Sequence, residues 1–513
     1  MSSPTRANPA VVPAEGVTKA ERYLAKLCRH SFLSMWSYPG VFKDQGRHNG
    51  KGDGKEVCDL LVVFENHIII FSDKDCHFDD AGDLLEKWAR WFKRAVIDSA
   101  KQIWGAERSI RRFPDRLFID RKCTIPFPIK LPDPAKAIFH RIVVAHDASR
   151  ACRERLGGSG SLMLDSSLTS DAHFKMPFAI GQLNPDKGYV HVFDDTTLNI
   201  VMSTLDTITD FTAYLAKKEQ FLTGKTVVHA AGEEELLAVY LRKLNASGEH
   251  DFVIDGNYNV LSFEEGFWEA FIRSPERKAQ IEADRISYSW DKLIEKFSFY
   301  AMTGTQYFTS GQPLREQEVA FRFLAREPRT RRRLLATSIH EVLERSIHSS
   351  TPLDARVNKP VETGSPWYVF LVLKRDAGIS DGKYRKVRKT LLANYCQVTK
   401  LKFPDAIDII GIATESGVDT RRSEDLIYVN TSKWSAADEA RAKEVQNRLG
   451  LLKKVTATSA REYEYPVNHE SRPRGPRPSR NSPCPCGTRK RYKNCHGKEV
   501  LSTKRARKTR RQK

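Results

Sequence analysis

Between Glu56 and Lys74 the chain runs through two dense apolar blocks, Val57–Phe64 interrupted only by Asp59, and Ile68–Phe71, split by Glu65-Asn66-His67. Blocks this short and this rich in Val, Ile, Leu and Phe predict two neighbouring buried strands joined by a tight turn. Charge is confined to their ends. Asp59 enters the first strand, and Ser72-Asp73-Lys74 leaves the second. Side chains alternate along a strand, so Ser72 and Lys74 share a face while Asp73 takes the other unless the strand bulges. A carboxylate on one strand facing a lysine at the end of the next can hold a divalent cation and orient a hydrolytic water.

A helix precedes this pair. Leu24, Leu27, Cys28, Phe32 and Met35 recur at helical spacing up to a stop near Tyr38-Pro39-Gly40, and Thr18-Lys-Ala-Glu21 forms a capping box at its start. A glycine-rich polar loop, residues 40–55, leads into the Asp59 strand. Asp80–Arg108 reads as one long helix with Leu84, Leu85, Trp88, Trp91, Phe92 and Ile103 on its apolar face. Phe139–His146 and Tyr189–Phe193 read as further buried strands. Residues 17–228 are therefore expected to form a mixed-sheet α/β domain with helices on both faces.

These residues resemble the PD-(D/E)XK nuclease superfamily, in particular its Mrr-like and nuclease-related-domain branches. There an Asp on one strand is followed about a dozen residues later by Glu-x-Lys on the next. Asp59 takes the place of the Asp and Lys74 that of the Lys, while Ser72 stands where the second acid should be. The resemblance implies a replacement acid: Asp73 or Asp75 if the strand bulges or ends, or Asp79 or Glu86 from the next segment. It also implies that a first-helix Glu, here Glu21, can complete the metal site alongside its capping role, and that a helical Gln, here Gln102, lies nearby. The site implied is Glu21, Asp59, Asp73, Lys74 and Gln102, with Mg²⁺ as catalytic cofactor.

The 513 residues contain no run of about 18 apolar residues, and the N-terminus lacks the apolar core of a signal peptide, so no membrane span is expected. Nine cysteines, scattered singly apart from three near the C-terminus, fit a reducing, cytoplasmic setting without a disulfide framework. Of the net charge of +20, residues 471–513 carry +15, from 16 Lys/Arg against Glu499 alone. The basic character thus belongs to a tail, and the remainder is nearly balanced.

Residues 1–16, rich in Pro, Ala and Ser, are expected to be disordered. Residues 229–365 read as a mainly helical region, where the arginine-rich run Arg322–Arg333 could touch nucleic acid or be a solvated face. Gly224-Lys225-Thr226 looks like the end of a phosphate-binding loop, but Glu219 occupies the first glycine's position and a helix precedes it, which excludes ATP binding there. Residues 366–465 read as a second, small α/β domain with strands at Trp367–Leu373, Ala406–Ala413 and Leu426–Val429. Between them lies the basic helix Lys383–Lys400, and a last helix, capped at Ser435, stops at Gly450. A Pro/Arg-rich linker spans 466–482.

Residues 483–498 hold Cys484, Cys486, Cys495 and His496. Three thiolates and an imidazole so close together match the four tetrahedral ligands of a structural zinc site, and so small a unit would draw its folding energy from the metal. The Cys-x-Cys-x8-Cys-His spacing closely resembles the SEC-C motif, best known at the C-terminus of the SecA translocation ATPase, with Thr488-Arg489 where the family usually has Ser-Gly. No ATPase motif lies upstream. In SecA the module binds a chaperone and the ribosome or lipid, which implies a protein partner here. The tail, 499–513, is expected to be disordered and to attract phosphate backbones by counterion release.

Two functions follow. One is a metal-dependent nuclease tethered to nucleic acid by knuckle and tail, for which a bacterial defence role would fit. The other is a non-catalytic nuclease-like adapter, its acid lost at Ser72, whose zinc knuckle docks on a ribosome, chaperone or nucleic acid.

Overall fold

The structure, a computed structural model, describes residues 11, 13–45, 53–79, 81–308, 312–362, 364–417, 422–457, 463–466, 481–482 and 491. The chain divides into two units, Met1–Glu464 and Tyr465–Lys513. Every described helix and strand lies in the first. The knuckle ligands, the basic tail and most of the expected linker and N-terminal disordered segment fall outside the described residues.

Helix α1 (Lys19–Phe32) begins at the expected capping box. The Thr18 hydroxyl accepts from the Glu21 amide at 3.1 Å, and the Glu21 carboxylate accepts from the Thr18 amide at 3.3 Å. Strands β1 (Ser37–Lys43), β2 (Lys55–Phe64) and β3 (His67–Lys74) then form an antiparallel meander, so the Glu56–Lys74 stretch is a hairpin. The expected long helix is broken into α2 (Leu84–Phe92), a π-helical turn over Lys93–Ile97, and α3 (Asp98–Arg112). After the short edge strand β4 (Leu117–Phe118), β5 (Ile138–Ala145) returns parallel to β3. The chain continues through α4 (Ala148–Leu156), β6 (Met163–Thr169) and β7 (Ala179–Gln182) to β8 (Val190–Asp194), which adds in parallel to β5. The first sheet thus has the order β4-β1-β2-β3-β5-β8.

Two neighbouring residues of β3 show which layer covers each face. The Phe71 ring lies 6.5 Å from that of Phe32 in α1, whereas the Ser72 hydroxyl points to Gln102 in α3. Helices α1 and α3 therefore sandwich the sheet, as the apolar hairpin requires.

Next come α5 (Thr197–Thr204), α6 (Ile208–Leu222), β9 (Val227–Ala230), α7 (Glu233–Arg242) and β10 (Val260–Phe263). A second sheet has the order β10-β9-β6-β7, so the division expected at residue 228 falls inside a sheet. The helical region holds α8 (Phe267–Arg273), α9 (Pro275–Asp284), α10 (Tyr288–Thr303), α11 (Leu314–Arg326) and α12 (Arg329–His348). The third sheet, β11 (Leu353–Asn358), β12 (Trp367–Leu373), β13 (Asp408–Glu415) and β14 (Glu424–Asn430), is mixed, with α13 (Asp381–Lys402) as the crossover between parallel β12 and β13. It starts before the boundary expected at 366. Helix α14 (Ala436–Leu449) ends at Gly450, whose φ of 71° suits a glycine C-cap. No helix among the described residues is long and apolar enough to cross a membrane.

Half of the arginine run is interior. Arg329, Arg332 and Arg333 are buried, where Arg329 meets Asp206 at 2.8 Å and Asp291 at 2.7 Å, Arg332 meets Asp291 at 2.7 Å, and Arg333 meets Asp284 at 3.2 Å. Guanidinium forks suit such bidentate, desolvated pairing. The interior aspartates leave these three arginines unable to reach a phosphate backbone, while Arg322, Arg326 and Arg331 are partly exposed and pair with Glu318, Glu65 and Glu327. Removing one partner from a buried ion network strands the other charges. Asp291→Ala, which takes a carboxylate from both Arg329 and Arg332, should cost about 3–5 kcal/mol in chemical denaturation.

Candidate functional site

The hairpin register brings the expected residues together at one sheet end. Leu60 pairs with Phe71, and one step further along the antiparallel pair sets Asp59 opposite Ser72. Directly opposite residues share a face. Asp59, Ser72 and, by alternation, Lys74 thus lie on the α3 side, where the Ser72 hydroxyl is 3.5 Å from Gln102 Oε1. Lys74 is half-buried and makes no ion pair among the described residues.

Asp59 is tied to the next strand by a backbone bond: the Asp73 amide donates to Asp59 Oδ2 at 2.6 Å. Burial raises the Asp59 carboxyl, which the Asp73 amide opposes. The nearby Asp73 and Glu21 carboxylates raise it further, the Ser72 hydroxyl lowers it, and the outcome is about 6. Glu21 thus reaches Asp59 electrostatically while capping α1. Glu56, three residues before Asp59 on β2, is raised by burial and then by Asp59 and Glu21. The sequence reading passed over it.

Asp73 does not turn toward this face. β3 pairs with β5 without a shift through Lys74, so there is no bulge. The Asp73 side chain is 1% exposed and bonds His146 Nε2 at 2.6 Å, while His146 Nδ1 meets Asp195 at 2.6 Å. Burial alone would lower the His146 pKa, but Asp195 and Asp73 outweigh it and push it up to about 10. With both nitrogens engaged by carboxylates, His146 is a fixed cation rather than a proton shuttle. Of the other acids considered for the Ser72 position, Asp79 pairs with Lys87, and Glu86 is exposed and pairs with Arg90. Asp75 is exposed.

His146 and Asp195 were missed because they adjoin strands that looked purely structural. A signal was available: they follow the C-terminal ends of β5 and β8, and Lys74, Ala145 and Asp194 lie in register across three parallel strands. Polar groups gather at such strand ends in open α/β sheets. Among the described residues, no group of three His, Cys, Asp or Glu side chains is arranged to hold a metal ion.

A carboxyl that is neutral more readily when folded than unfolded binds its proton more tightly in the native state, so stability falls as pH rises from about 4 to about 6. Asp59→Asn keeps an acceptor for the Asp73 amide and removes this buried charge. It should therefore stabilise the protein by about 2 kcal/mol at pH 7.5 and by nearly nothing at pH 4, read as the difference in thermal midpoint at the two pH values.

A family model described as the SEC-C motif matches residues 480–498. No curated protein and no solved structure matches the chain.

Proposed function

We propose that this SEC-C-motif protein binds zinc through Cys484, Cys486, Cys495 and His496, and that its N-terminal α/β region is a metal-dependent nuclease acting on phosphodiester bonds of DNA or RNA. The observation that carries the nuclease reading is the meeting of Asp59, Ser72, Lys74, Gln102 and Glu21, drawn from α1, β2, β3 and α3, at one sheet end. These are the positions that the PD-(D/E)XK resemblance assigns to the metal site and its surroundings.

The donor set suits magnesium of the kind held by one or two carboxylates, with waters and substrate phosphate completing the shell, rather than an all-protein cage. Asp59 and Glu21 would hold it, and Asp73, committed to His146, would not. Bound there, the ion supplies Lewis-acid stabilisation of charge on the scissile phosphate and a more acidic water. Lys74 offsets negative charge on the phosphate from the same face. Ser72 and Gln102 orient the Asp59 carboxylate, and the His146 pair to Asp73 fixes the strand end that carries Lys74.

The adapter reading draws on one specific observation, the absence of an acid at Ser72 with none of the alternatives turned in to replace it. Labelled single- and double-stranded DNA and RNA, incubated with Mg²⁺ or Mn²⁺, separate the two. Wild type should cut at least one substrate, and Asp59→Ala and Lys74→Ala should each lower the rate about 10²-fold or more while the fold persists. No cutting by pure wild type, with binding that depends on the knuckle, would establish the adapter instead. For the zinc site, metal analysis should find about one zinc per chain, lost on Cys484→Ser.

A further inference from the structure

Helix α13 carries seven basic residues and one acid, Asp381. Its basic residues divide by environment. Arg385 and Arg388 turn inward and both pair with Asp425, each at 2.7 Å. Lys383, Lys386 and Lys389 recur every third residue, are exposed, and make no ion pair among the described residues. The arginines lock the helix to β14, and the lysines form an uncompensated positive ridge.

Two aromatic residues flank that ridge. Tyr307 stacks on Arg385, whose guanidinium carbon lies 3.9 Å from the ring centroid, and Lys389 Nζ sits 4.4 Å from the Phe308 centroid. Gly382, in the first turn of α13, lets the Tyr307 hydroxyl come close: a Cβ there would lie 3.1 Å from it. Cations thus hold one side of each ring, yet Tyr307 remains 49% exposed and Phe308 half-exposed. Leaving such rings in water has a cost that packing against the body would have removed.

We propose that Lys383, Lys386 and Lys389 with Tyr307 and Phe308 form a binding surface for single-stranded nucleic acid. The lysines neutralise consecutive phosphates, and the open ring faces stack unpaired bases. A positive track beside exposed aromatics is the arrangement that binds single strands without sequence preference, because every base has a π-face. Duplex offers the same phosphates but keeps its bases stacked inside, and an anionic lipid surface offers no ring to stack. The assignment deepens the nuclease reading by naming the substrate class, and it rests on that reading only for the idea that nucleic acid is the ligand.

The test is fluorescence anisotropy of the full chain with a fluorescein-labelled oligo-dT and with a duplex of equal length, over a range of salt. Charge reversal of all three lysines (Lys383→Glu, Lys386→Glu, Lys389→Glu) should weaken oligo-dT binding about tenfold or more. It should also lower the salt slope by about 2, given about 0.7 per phosphate contact on single strands. Tyr307→Ala should weaken oligo-dT binding about fivefold or more and leave duplex binding unchanged, whereas Tyr307→Phe should bind as wild type. The proposal is overturned if the triple variant keeps wild-type affinity and slope, which would assign binding to the basic tail. It is equally overturned if Tyr307→Ala loses nothing, or if the triple variant loses binding to phosphatidylserine vesicles but not to oligo-dT. Failure of the nuclease reading would show separately, as tight α13-dependent binding without cleavage.

Discussion

The hydrogen bond from the Asp73 amide to the Asp59 carboxylate is the constraint on which the candidate site depends. It ties Asp59, midway along β2, to the end of β3 just past the last paired residues of the β2–β3 ladder. With β3 unbulged through Lys74, Ser72 and Lys74 must face α3 and Asp73 must face the other way. This regular register sorts the acids into two groups. Asp59 stays with Lys74 and Gln102, and Asp73 is committed to His146.

This sorting has an electrostatic consequence. At this strand end burial raises Asp59 and Glu56, and the neighbouring carboxylates, Glu21 among them, add to it, with no arginine or histidine bonded to Asp59 among the described residues. On the other side the surplus acid is matched: Asp73 and Asp195 bracket a charged His146. A protein that only needed a stable sheet end could place an amide at Asp59 and lose nothing in packing. Keeping an ionisable group where burial opposes its charge is the pattern of sites that trade stability for chemistry. The half-buried Lys74 beside it supplies the complementary sign and forms no ion pair among the described residues.

Much of this was legible in the sequence, for identifiable reasons. The hairpin was readable because Val57–Phe64 and Ile68–Phe71 leave charge only at their ends, and the α1 start because Thr18 and Glu21 stand at capping-box spacing. The interruption at Lys93–Ile97 was not, because a π turn adds a residue without altering which residue types are apolar. Nor was the sheet formed by β6, β7, β9 and β10. Its strands are four to seven residues long, and the β6–β9 pairing joins segments more than sixty residues apart, with residue 228 itself inside β9. His146 escaped for a related reason: the sequence places it at a strand end, but its pairing with Asp73 and Asp195 is set by register across three parallel strands.

Two basic stretches of similar composition show what the sequence withholds most firmly. Arg329, Arg332 and Arg333 are interior because Asp206, Asp284 and Asp291, from segments 38 to 123 residues away, fold against them. In α13 the same logic applies to the arginines only: Asp425 takes Arg385 and Arg388, and among the described residues no carboxylate comes to Lys383, Lys386 or Lys389. The choice of residue type follows the environment, since a planar fork keeps its hydrogen bonds when desolvated, whereas an ammonium is best left hydrated. Hydrated lysines contribute little to stability, but they remain free to exchange counterions for a phosphate backbone. Where arginine and lysine alternate on one helix, the arginines mark the face that builds the fold and the lysines mark the face left open to a polyanion.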